Sequence, residues 1–186
     1  KVGFKDNSSI LFYINQEQED YPMHWHTAME IIMPIENTYA VDMNKTAYSL
    51  KVGDILIIPP GELHALVAPS TGSRIVMLFD ASLLSHVKVF SGILPVLMQP
   101  RIISKENSPE IYEAQKKLLY NIRDEYNSNR PLREAAIYAL IIQMFVNIGR
   151  NHMDADTLFP LVRQGKQKEY IEKFNMIFDY IDQNYT

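Results

Sequence analysis

The sequence predicts a mainly β fold with C-terminal α-helices, in which a barrel or sandwich of short strands precedes a helical hairpin. Between Ser9 and Asp80, short β-rich runs alternate with turn residues, a pattern that is typical of barrels and sandwiches. After Asp80 the apolar residues recur with helical periodicity. The 186 residues, of which 47% are hydrophobic and 22% charged, suffice for one domain with a helical appendage and a substantial core.

The predicted strands are short and rich in β-branched and aromatic residues. They cover Ile10 to Asn15, Met29 to Pro34, Thr38 to Met43, Ala47 to Leu50, Ile55 to Ile58, Leu63 to Ala68 and Arg74 to Phe79. Their separators contain Gly, Pro, Asn and Ser, which favour chain reversal. A short helix is predicted from Ala81 to Val89, followed by an irregular connector that contains two prolines and extends to Ile103.

A helical hairpin is predicted after this connector. Ser108 and Pro109 are typical of a helix start, as N-cap and first helical residue, and the helix should end near Tyr126. A second helix is predicted from Leu132 to about Ile148, with Gly149 at its end. This helix is apolar around much of its circumference, so one side can pack on the barrel while another meets a partner subunit. The residues predicted for dimerisation are Leu132, Ala136, Leu140, Met144 and Ile148.

Charge and composition exclude several classes of function. There are 18 basic and 22 acidic residues, so the net charge is −4 and nothing in the chain attracts a phosphate backbone. The absence of cysteine excludes disulfides, thiolate metal sites and a cysteine nucleophile, and is compatible with the cytoplasmic location that we expect. The first residues lack the apolar core of a signal peptide, and no apolar run is long enough to predict a membrane span.

Two short stretches contain three of the five histidines and the candidate metal-binding residues of the chain. In the first, Met23 to Glu30, an extended backbone would direct His24, His26 and Glu30 to the same side, because alternate residues of a strand share a face. The second runs from Gly53 to His64 through a strand and a Pro-Pro-Gly corner. Imidazoles and one carboxylate are suitable ligands for a divalent metal such as Zn, Fe, Mn or Ni.

The spacing in both stretches resembles the cupin motifs. His-x-His, three residues and Glu resemble the first motif, with His24, His26 and Glu30 in its ligand positions, and Gly, five residues, Pro-x-Gly, two residues and His64 resemble the second. The glycine that usually follows the first motif is replaced by Asn37, which can adopt a left-handed turn conformation. The asparagine that usually closes the second is replaced by Ala68. The resemblance implies a cupin-like double-stranded β-helix, or jelly-roll barrel.

A cupin-like barrel followed by a helical hairpin, a polar linker and a final helix resembles the N-terminal part of an AraC-type transcriptional regulator. The resemblance covers essentially the whole chain and implies a homodimer that senses a small-molecule effector, for example a sugar. DNA would be bound only by helix-turn-helix units beyond Thr186, so this chain by itself should not read DNA. The implied parts are a sensing barrel at 1–103, a dimerisation hairpin at 104–153, a linker at 154–168 and the lead-in helix of the DNA-binding region at 169–186.

The effector is expected in the barrel mouth. The residues predicted to bind it are His24, Trp25, His26, Glu30, His64, Tyr13 and Tyr39, and Tyr21 and Phe79 are further aromatic candidates for stacking on a flat ligand. The alternative for His24, His26, Glu30 and His64 is packing and hydrogen bonding without a metal, and for the aromatics it is a place in the core or rim. His86 and His152 are expected to carry no chemistry.

A metal-dependent cupin enzyme, such as an isomerase or oxygenase, is the alternative function. It would need an acid or base placed beside an open metal position, for which Glu62 and Tyr48 are the candidates. A surface turn glutamate and a packed strand tyrosine are the simpler interpretations of these two residues. The long helical region also favours the non-enzymatic sensor, because a small cupin enzyme has no evident need for it.

Overall fold

The computed structural model describes residues 9–43 and 46–155. One compact unit extends through the chain to Asn151, and a second begins at His152. The predicted lead-in helix at 169–186 and most of the predicted linker lie outside the described residues.

Nine strands and four α-helices make up the described part of the chain. The strands are β1 (Ile10–Asn15), β2 (Tyr21–His24), β3 (Ala28–Pro34), β4 (Tyr39–Met43), β5 (Thr46–Leu50), β6 (Ile55–Ile58), β7 (His64–Val67), β8 (Arg74–Asp80) and β9 (Arg101–Ile103). The helices are α1 (Ser82–His86), α2 (Leu94–Leu97), α3 (Pro109–Tyr126) and α4 (Arg133–Ala155).

The strands form two antiparallel sheets. The first has the order β1-β8-β3-β6-β9, and the second has the order β2-β7-β4-β5. From β1 to β8 the chain passes repeatedly from one sheet to the other, as in a jelly roll, and only β4 and β5 follow each other within one sheet. The predicted fold class, mainly β with C-terminal helices and a cupin-like barrel, is confirmed.

The five-stranded sheet is covered on both faces, and side-chain alternation divides its residues between two environments. One face packs on α3 and α4 through residues such as Phe12, Ile31, Met77 and Phe79, which belong to the same core cluster as Leu119, Ile141 and Phe145 of the helices. The opposite face contributes to the barrel interior, where Ile32, Leu56 and Ile58 pack with Tyr39, Val41 and Leu66 of the other sheet. The outer face of the five-stranded sheet therefore shares one core with the hairpin, and the barrel interior forms a second core.

The first motif is not one continuous strand, as its predicted extended backbone assumed. The pairing of β2 with β7 shifts register between Tyr21 and His24. The chain leaves β2 after His24 and enters β3, in the other sheet, at Ala28. Alternation along a single strand therefore does not explain the grouping of His24 with Glu30. Both residues line the same cavity because the two sheets face each other across the barrel.

The connector before the hairpin also differs from the prediction. Arg101–Ile103 forms β9, which pairs with β6 at the edge of the five-stranded sheet. Three residues between a proline and a turn are too few for a periodic signal, so only the available sheet edge reveals this strand. The predicted left-handed turn at Asn37 is present, with φ of 62°, and its side-chain amide donates to the Thr71 carbonyl at 2.8 Å.

The second long helix does not end at Gly149. Helix α4 continues to Ala155, which includes the first two residues of the predicted linker. Gly149 is buried, and a Cβ atom there would lie 2.8 Å from Cδ1 of Ile93. This glycine therefore permits close packing against the connector rather than ending the helix. At the start of α3, Ser108 occupies the N-cap position as predicted, but its side chain makes no capping hydrogen bond.

The five residues predicted for dimerisation do not share one exposed face. Met144 and Ile148 are buried in the core between α4 and the sheet, so they are not available to a partner. Leu132 precedes α4, is 82% exposed and has a φ of 59°. Ala136 and Leu140 are half-buried on α4. A partner could therefore reach only part of the predicted surface.

Candidate functional site

The candidate site lies where the two sheets approach each other. His24 pairs with His64 across β2 and β7, while Glu30 lies on β3 opposite Leu78 of β8. The Pro-Pro-Gly corner connects the two motifs directly, because the Gly61 amide donates to the His26 carbonyl at 2.9 Å. Gly61 has a φ of 77°, which side chains disfavour, so a glycine here permits the tight corner.

All three histidines are oriented by backbone carbonyls. Nδ1 of His24 lies 2.7 Å from the Pro22 oxygen, Nδ1 of His26 lies 3.0 Å from the Ala28 oxygen, and Nδ1 of His64 lies 2.8 Å from the Glu62 oxygen. A carbonyl only accepts, so each Nδ1 carries its proton. In the neutral form, each Nε2 therefore presents a lone pair, which is the tautomer that binds metals.

Glu30 is a buried carboxylate that faces two of these Nε2 atoms. Its Oε2 lies 3.0 Å from Nε2 of His26 and 3.3 Å from Nε2 of His64, the latter contact being too poorly aligned for a full hydrogen bond. Burial by itself would raise the pKa of Glu30, but the contacts with His26 and His64 lower it to about 2. Burial would lower the pKa of His64, and Glu30 nevertheless raises it above 6.5.

The donor set of this cluster fits a divalent metal. One nitrogen from each of His24, His26 and His64 lies within 4.8 Å of the other two, and the carboxylate of Glu30 adjoins them. An ionised carboxylate and unprotonated Nε2 atoms repel one another unless a proton or a cation lies among them. Nitrogen and oxygen ligands of this kind suit Zn, Fe, Mn and Ni.

A cavity of about 380 Å³ opens beside the histidine cluster. This volume lies within the range of small-molecule sites. Both sheets contribute to its lining. The five-stranded sheet provides Leu11, Tyr13, Asn15, Glu30, Arg74, Val76 and Leu78, and the four-stranded sheet provides Tyr21, His24, Tyr39 and Leu66. Trp25 and His26 lie in the connection between β2 and β3.

Six of the seven residues predicted to bind the effector line this cavity. His64 is the exception, since it is fully buried behind the ring of His24, with 4.3 Å between the ring centroids. Tyr21 also lines the cavity. Phe79, the remaining aromatic candidate, points to the other side of the sheet and contacts Phe145, so it belongs to the helix-facing core. The side chains of alternate residues of β8 point to opposite faces, and the cavity-facing residues of this strand are the even-numbered ones, so Phe79 faces away from the cavity.

Arg74 is the charged cavity residue that the sequence interpretation missed. Only 3% of this residue is exposed, and its guanidinium carbon lies 4.1 Å from the centroid of the Tyr39 ring. One guanidinium nitrogen donates to the Glu17 carbonyl at 3.2 Å. Within the described part of the chain, no carboxylate forms an ion pair with it. The sequence did contain a signal for Arg74. It is a charged residue at the start of an otherwise apolar strand, and it lies two and four residues before Val76 and Leu78, so it shares their face of the strand.

The tyrosines of the cavity are neutral over the physiological range. Burial and the charge of Glu30 raise the pKa of Tyr13 to about 12. Burial likewise raises the pKa of Tyr39 well above its usual value, and Arg74 only partly offsets this effect. The hydroxyl of Tyr39 is buried and has no hydrogen-bond partner among the described residues. These hydroxyls can therefore donate hydrogen bonds to a bound ligand.

The remaining candidates lie away from the cavity. Glu62 and Tyr48 are not among the residues that line it, and Tyr48 is 37% exposed on β5 rather than packed. His86 is exposed on α1. In residues 9–43 and 46–155, no helix combines the length and apolarity that crossing a membrane requires.

Comparison with known proteins agrees with this architecture. The family described as AraC-like ligand binding domain matches residues 7–141. No curated protein sequence matches the chain. An apo point variant of ToxT from Vibrio cholerae superposes with a TM-score of 0.61 and 8% identity, over 98% of this chain and 68% of that chain.

Two further solved structures have a similar fold or part of it. Another ToxT structure from Vibrio cholerae has a TM-score of 0.52 and 8% identity, over 77% of this chain and 57% of that chain. An RmlC-like cupin from Shewanella frigidimarina has a TM-score of 0.37 and 20% identity, over 41% and 70% of the two chains. At these identities the likeness concerns the fold alone. The family match spans most of the chain, which therefore belongs to the AraC-like ligand binding domain family.

Proposed function

We propose that this chain is the effector-sensing and dimerisation domain of an AraC-type transcriptional regulator and acts in the cytoplasm. The observation that carries the proposal is the cavity of about 380 Å³, which both sheets line with aromatic, polar and charged side chains. A cavity of this kind suits a ligand that has a flat or apolar body and polar groups. Effector binding would shift the population of arrangements available to the helices, and through them the DNA-binding units.

We further propose that His24, His26, His64 and Glu30 hold a divalent metal at one end of the cavity. The Nδ1 atoms of the three histidines are hydrogen-bonded to backbone carbonyls, which supports this proposal. Because each Nδ1 carries the proton, the Nε2 lone pair of each neutral imidazole is available to a metal. The metal would supply a Lewis-acidic position for an oxygen of the effector. The backbone carbonyls of Pro22, Ala28 and Glu62 would orient the three imidazoles toward the metal.

Metal analysis tests the cluster. We expect nearly stoichiometric metal in protein purified without chelators or an affinity tag, and loss of that metal in the His24→Ala, His26→Ala double variant. His86→Ala is the matched control, since it removes an exposed histidine outside the cluster. A wild-type domain that folds well without metal would leave His24, His26 and Glu30 as polar lining of the cavity and His64 as a buried polar residue behind them.

Dimerisation through α4 belongs to the same proposal. Half-buried Ala136 and Leu140 support it, together with exposed Leu132 at the start of the helix. Fusion of the chain to a DNA-binding module that represses only as a dimer provides the functional test. We expect repression of a reporter by the fusion and a change in repression when an effector is added. A fusion that never represses would contradict the dimerisation, and one that no compound affects would contradict the sensing.

The second candidate function is a metal-dependent cupin enzyme, which the opening of the histidine cluster into the cavity favours. Glu62 and Tyr48, the predicted acid and base candidates, do not line the cavity and thus give this function no support. Chemical conversion of a compound that binds the metal-loaded domain, with loss of conversion in the histidine double variant, would favour the enzyme over the sensor.

A further inference from the structure

Arg74 carries a buried positive charge with which no carboxylate among the described residues forms an ion pair. We propose that Arg74 is the anion-binding group of the cavity and that the effector is a small monocarboxylic acid whose carboxylate pairs with this guanidinium. The proposal rests on the proposed function, because it assumes that an effector enters the cavity. It specifies the chemical class of that effector, which the family match does not provide.

Burying the charge of Arg74 without an ion-pair partner among the described residues costs free energy. Arg74 is 3% exposed, and arginine cannot shed its proton to avoid the desolvation cost. One carbonyl bond to Glu17 and a stacked Tyr39 ring occupy only part of its five N–H donors. The guanidinium therefore retains hydrogen-bonding capacity toward the cavity that it lines.

Glu17 and Glu30 both have other close partners, and the charge of Arg74 is the weakest of the three interactions that lower the pKa of Glu17. Glu17 is exposed, and its carboxylate accepts hydrogen bonds from the Tyr21 hydroxyl and from the Asn15 amide. The Oε2 atom of Glu30 faces the histidine cluster, at 3.0 Å from Nε2 of His26 and 3.3 Å from Nε2 of His64. Neither carboxylate forms an ion pair with Arg74 within the part of the chain that the structure describes. An anion from outside the protein would supply the missing counter-charge.

The charges of the cavity lining favour a carboxylate over a phosphate. Of the described residues that line the cavity, Arg74 is the only lysine or arginine, and Glu30 adds a negative charge to the same lining. One guanidinium balances a single negative charge and matches the two oxygens of a carboxylate. A phosphate that carries nearly two charges would leave one of them unpaired close to Glu30.

The other residues of the lining indicate the chemistry of the rest of the ligand. Tyr13 and the buried hydroxyl of Tyr39 offer hydrogen bonds to a polar substituent, while the aliphatic side chains favour a flat or apolar body. Those aliphatic residues are Leu11, Leu66, Val76 and Leu78. A neutral sugar, the example considered from the sequence, would leave Arg74 unpaired. A sugar acid or an aromatic acid would satisfy both parts of the lining.

Thermal unfolding of the chain with matched acids and neutral compounds tests the proposal. The pairs are benzoate and benzamide, acetate and acetamide, and glucuronate and glucose, with inorganic phosphate as a further probe. The proteins are the wild type, Arg74→Met and Arg101→Met. Arg101 is the matched control, because its guanidinium also donates to a backbone carbonyl, that of Val96, but it does not line the cavity.

We expect at least one acid, at up to about 20 mM, to raise the Tm of the wild type and of Arg101→Met by a few degrees. Its neutral counterpart should have no such effect, and Arg74→Met should not respond. Without ligand, Arg74→Met should be at least as stable as the wild type, because an apolar side chain replaces a buried unpaired charge. If Arg74→Met does not fold, Arg74→Gln replaces it, since the amide can still donate to the Glu17 carbonyl.

Three results would overturn the proposal: no acid exceeds its neutral counterpart, phosphate exceeds every carboxylate, or the Arg74 variant responds like the wild type. The reporter fusion separates this failure from that of the proposed function. An acid that stabilises the domain through Arg74 without changing repression would retain the anion site and reject the sensor. A neutral compound that changes repression equally in the wild type and in Arg74→Met would retain the sensor and reject the anion site.

Discussion

The two faces of the five-stranded sheet are built from alternate residues of the same strands, yet they have opposite chemistry. On the helix side, Phe12, Ile31, Met77 and Phe79 are nearly inaccessible and pack against α3 and α4. On the barrel side, the same strands present Tyr13, Asn15, Glu30 and Arg74 to the cavity. One face is a closed apolar core, and the other combines aliphatic side chains with charged and hydroxyl groups around an open volume.

Alternate residues of a strand point to opposite faces of the sheet, so residues that stabilise the fold and residues that can contact a ligand alternate along the same strands. The apolar face supplies burial that holds the barrel and hairpin together, whereas the cavity face carries polar groups whose burial costs free energy unless they find partners. Substitutions on the helix face should therefore reduce stability, and those on the cavity face should mainly change what the domain binds. Two predictions test this distinction, beginning with the larger effect.

The largest effect is expected at Phe145, which contacts Phe79 edge to face with 6.0 Å between ring centroids. Phe145→Ala should reduce the free energy of unfolding by about 3–5 kcal/mol, because it leaves a void in a packed core. Leu78→Ala, on the cavity face of β8, is the control and should cost less, since its side chain already borders open volume. Equal losses in urea unfolding would contradict the distinction between the faces.

A smaller effect is expected from the charges of the cavity face when the metal-free domain is titrated. The lowered pKa of Glu30 contributes stability that is present above its ordinary value of 4.5 and is lost as the pH falls toward about 2. The raised pKa of His64 contributes stability that is present below 6.5 and is lost as the pH rises through the folded-state value. This cluster should therefore stabilise the metal-free domain most between about pH 4.5 and 6.5.

Unfolding midpoints across this pH range check the prediction, with Glu30→Gln as the comparison. The variant lacks the carboxylate that shifts both pKa values, so its midpoint should depend less on pH over the same window. If Glu30→Gln and the wild type have the same pH profile, the charges of Glu30 and His64 are not coupled in the way that the geometry indicates.

Much of the barrel could be predicted from the sequence because its signals are local. Strands β1 and β6 have the predicted bounds, since each is a short apolar run between turn residues. Strands β2 and β9 were not distinguished, because a four-residue strand with a register shift and a three-residue edge strand carry almost no periodicity. Helix α4 continues past Gly149, which was predicted to end it, and this glycine instead lies close to Ile93, a contact that the local sequence does not reveal.

The candidate site divides in the same way. The spacing of His24, His26, Glu30 and His64 identified a cluster with metal-ligand chemistry, and four aromatic candidates, Tyr13, Tyr21, Trp25 and Tyr39, do line the cavity. Phe79 was wrongly assigned to the cavity and Arg74 was missed, both for the same reason. Which face of β8 meets the cavity depends on its pairing with β1 and β3, and this register is a property of the assembled sheet.

By itself, the sequence determined the mainly β class, the helical hairpin and the residues of the histidine cluster, because composition, periodicity and spacing are written along the chain. Only the tertiary structure decided that Met144 and Ile148 face inward and that Arg74 lies buried beside Tyr39 without an ion pair among the described residues. Burial and pairing depend on residues that are distant in sequence, and they arise only when the two sheets and the helices pack together.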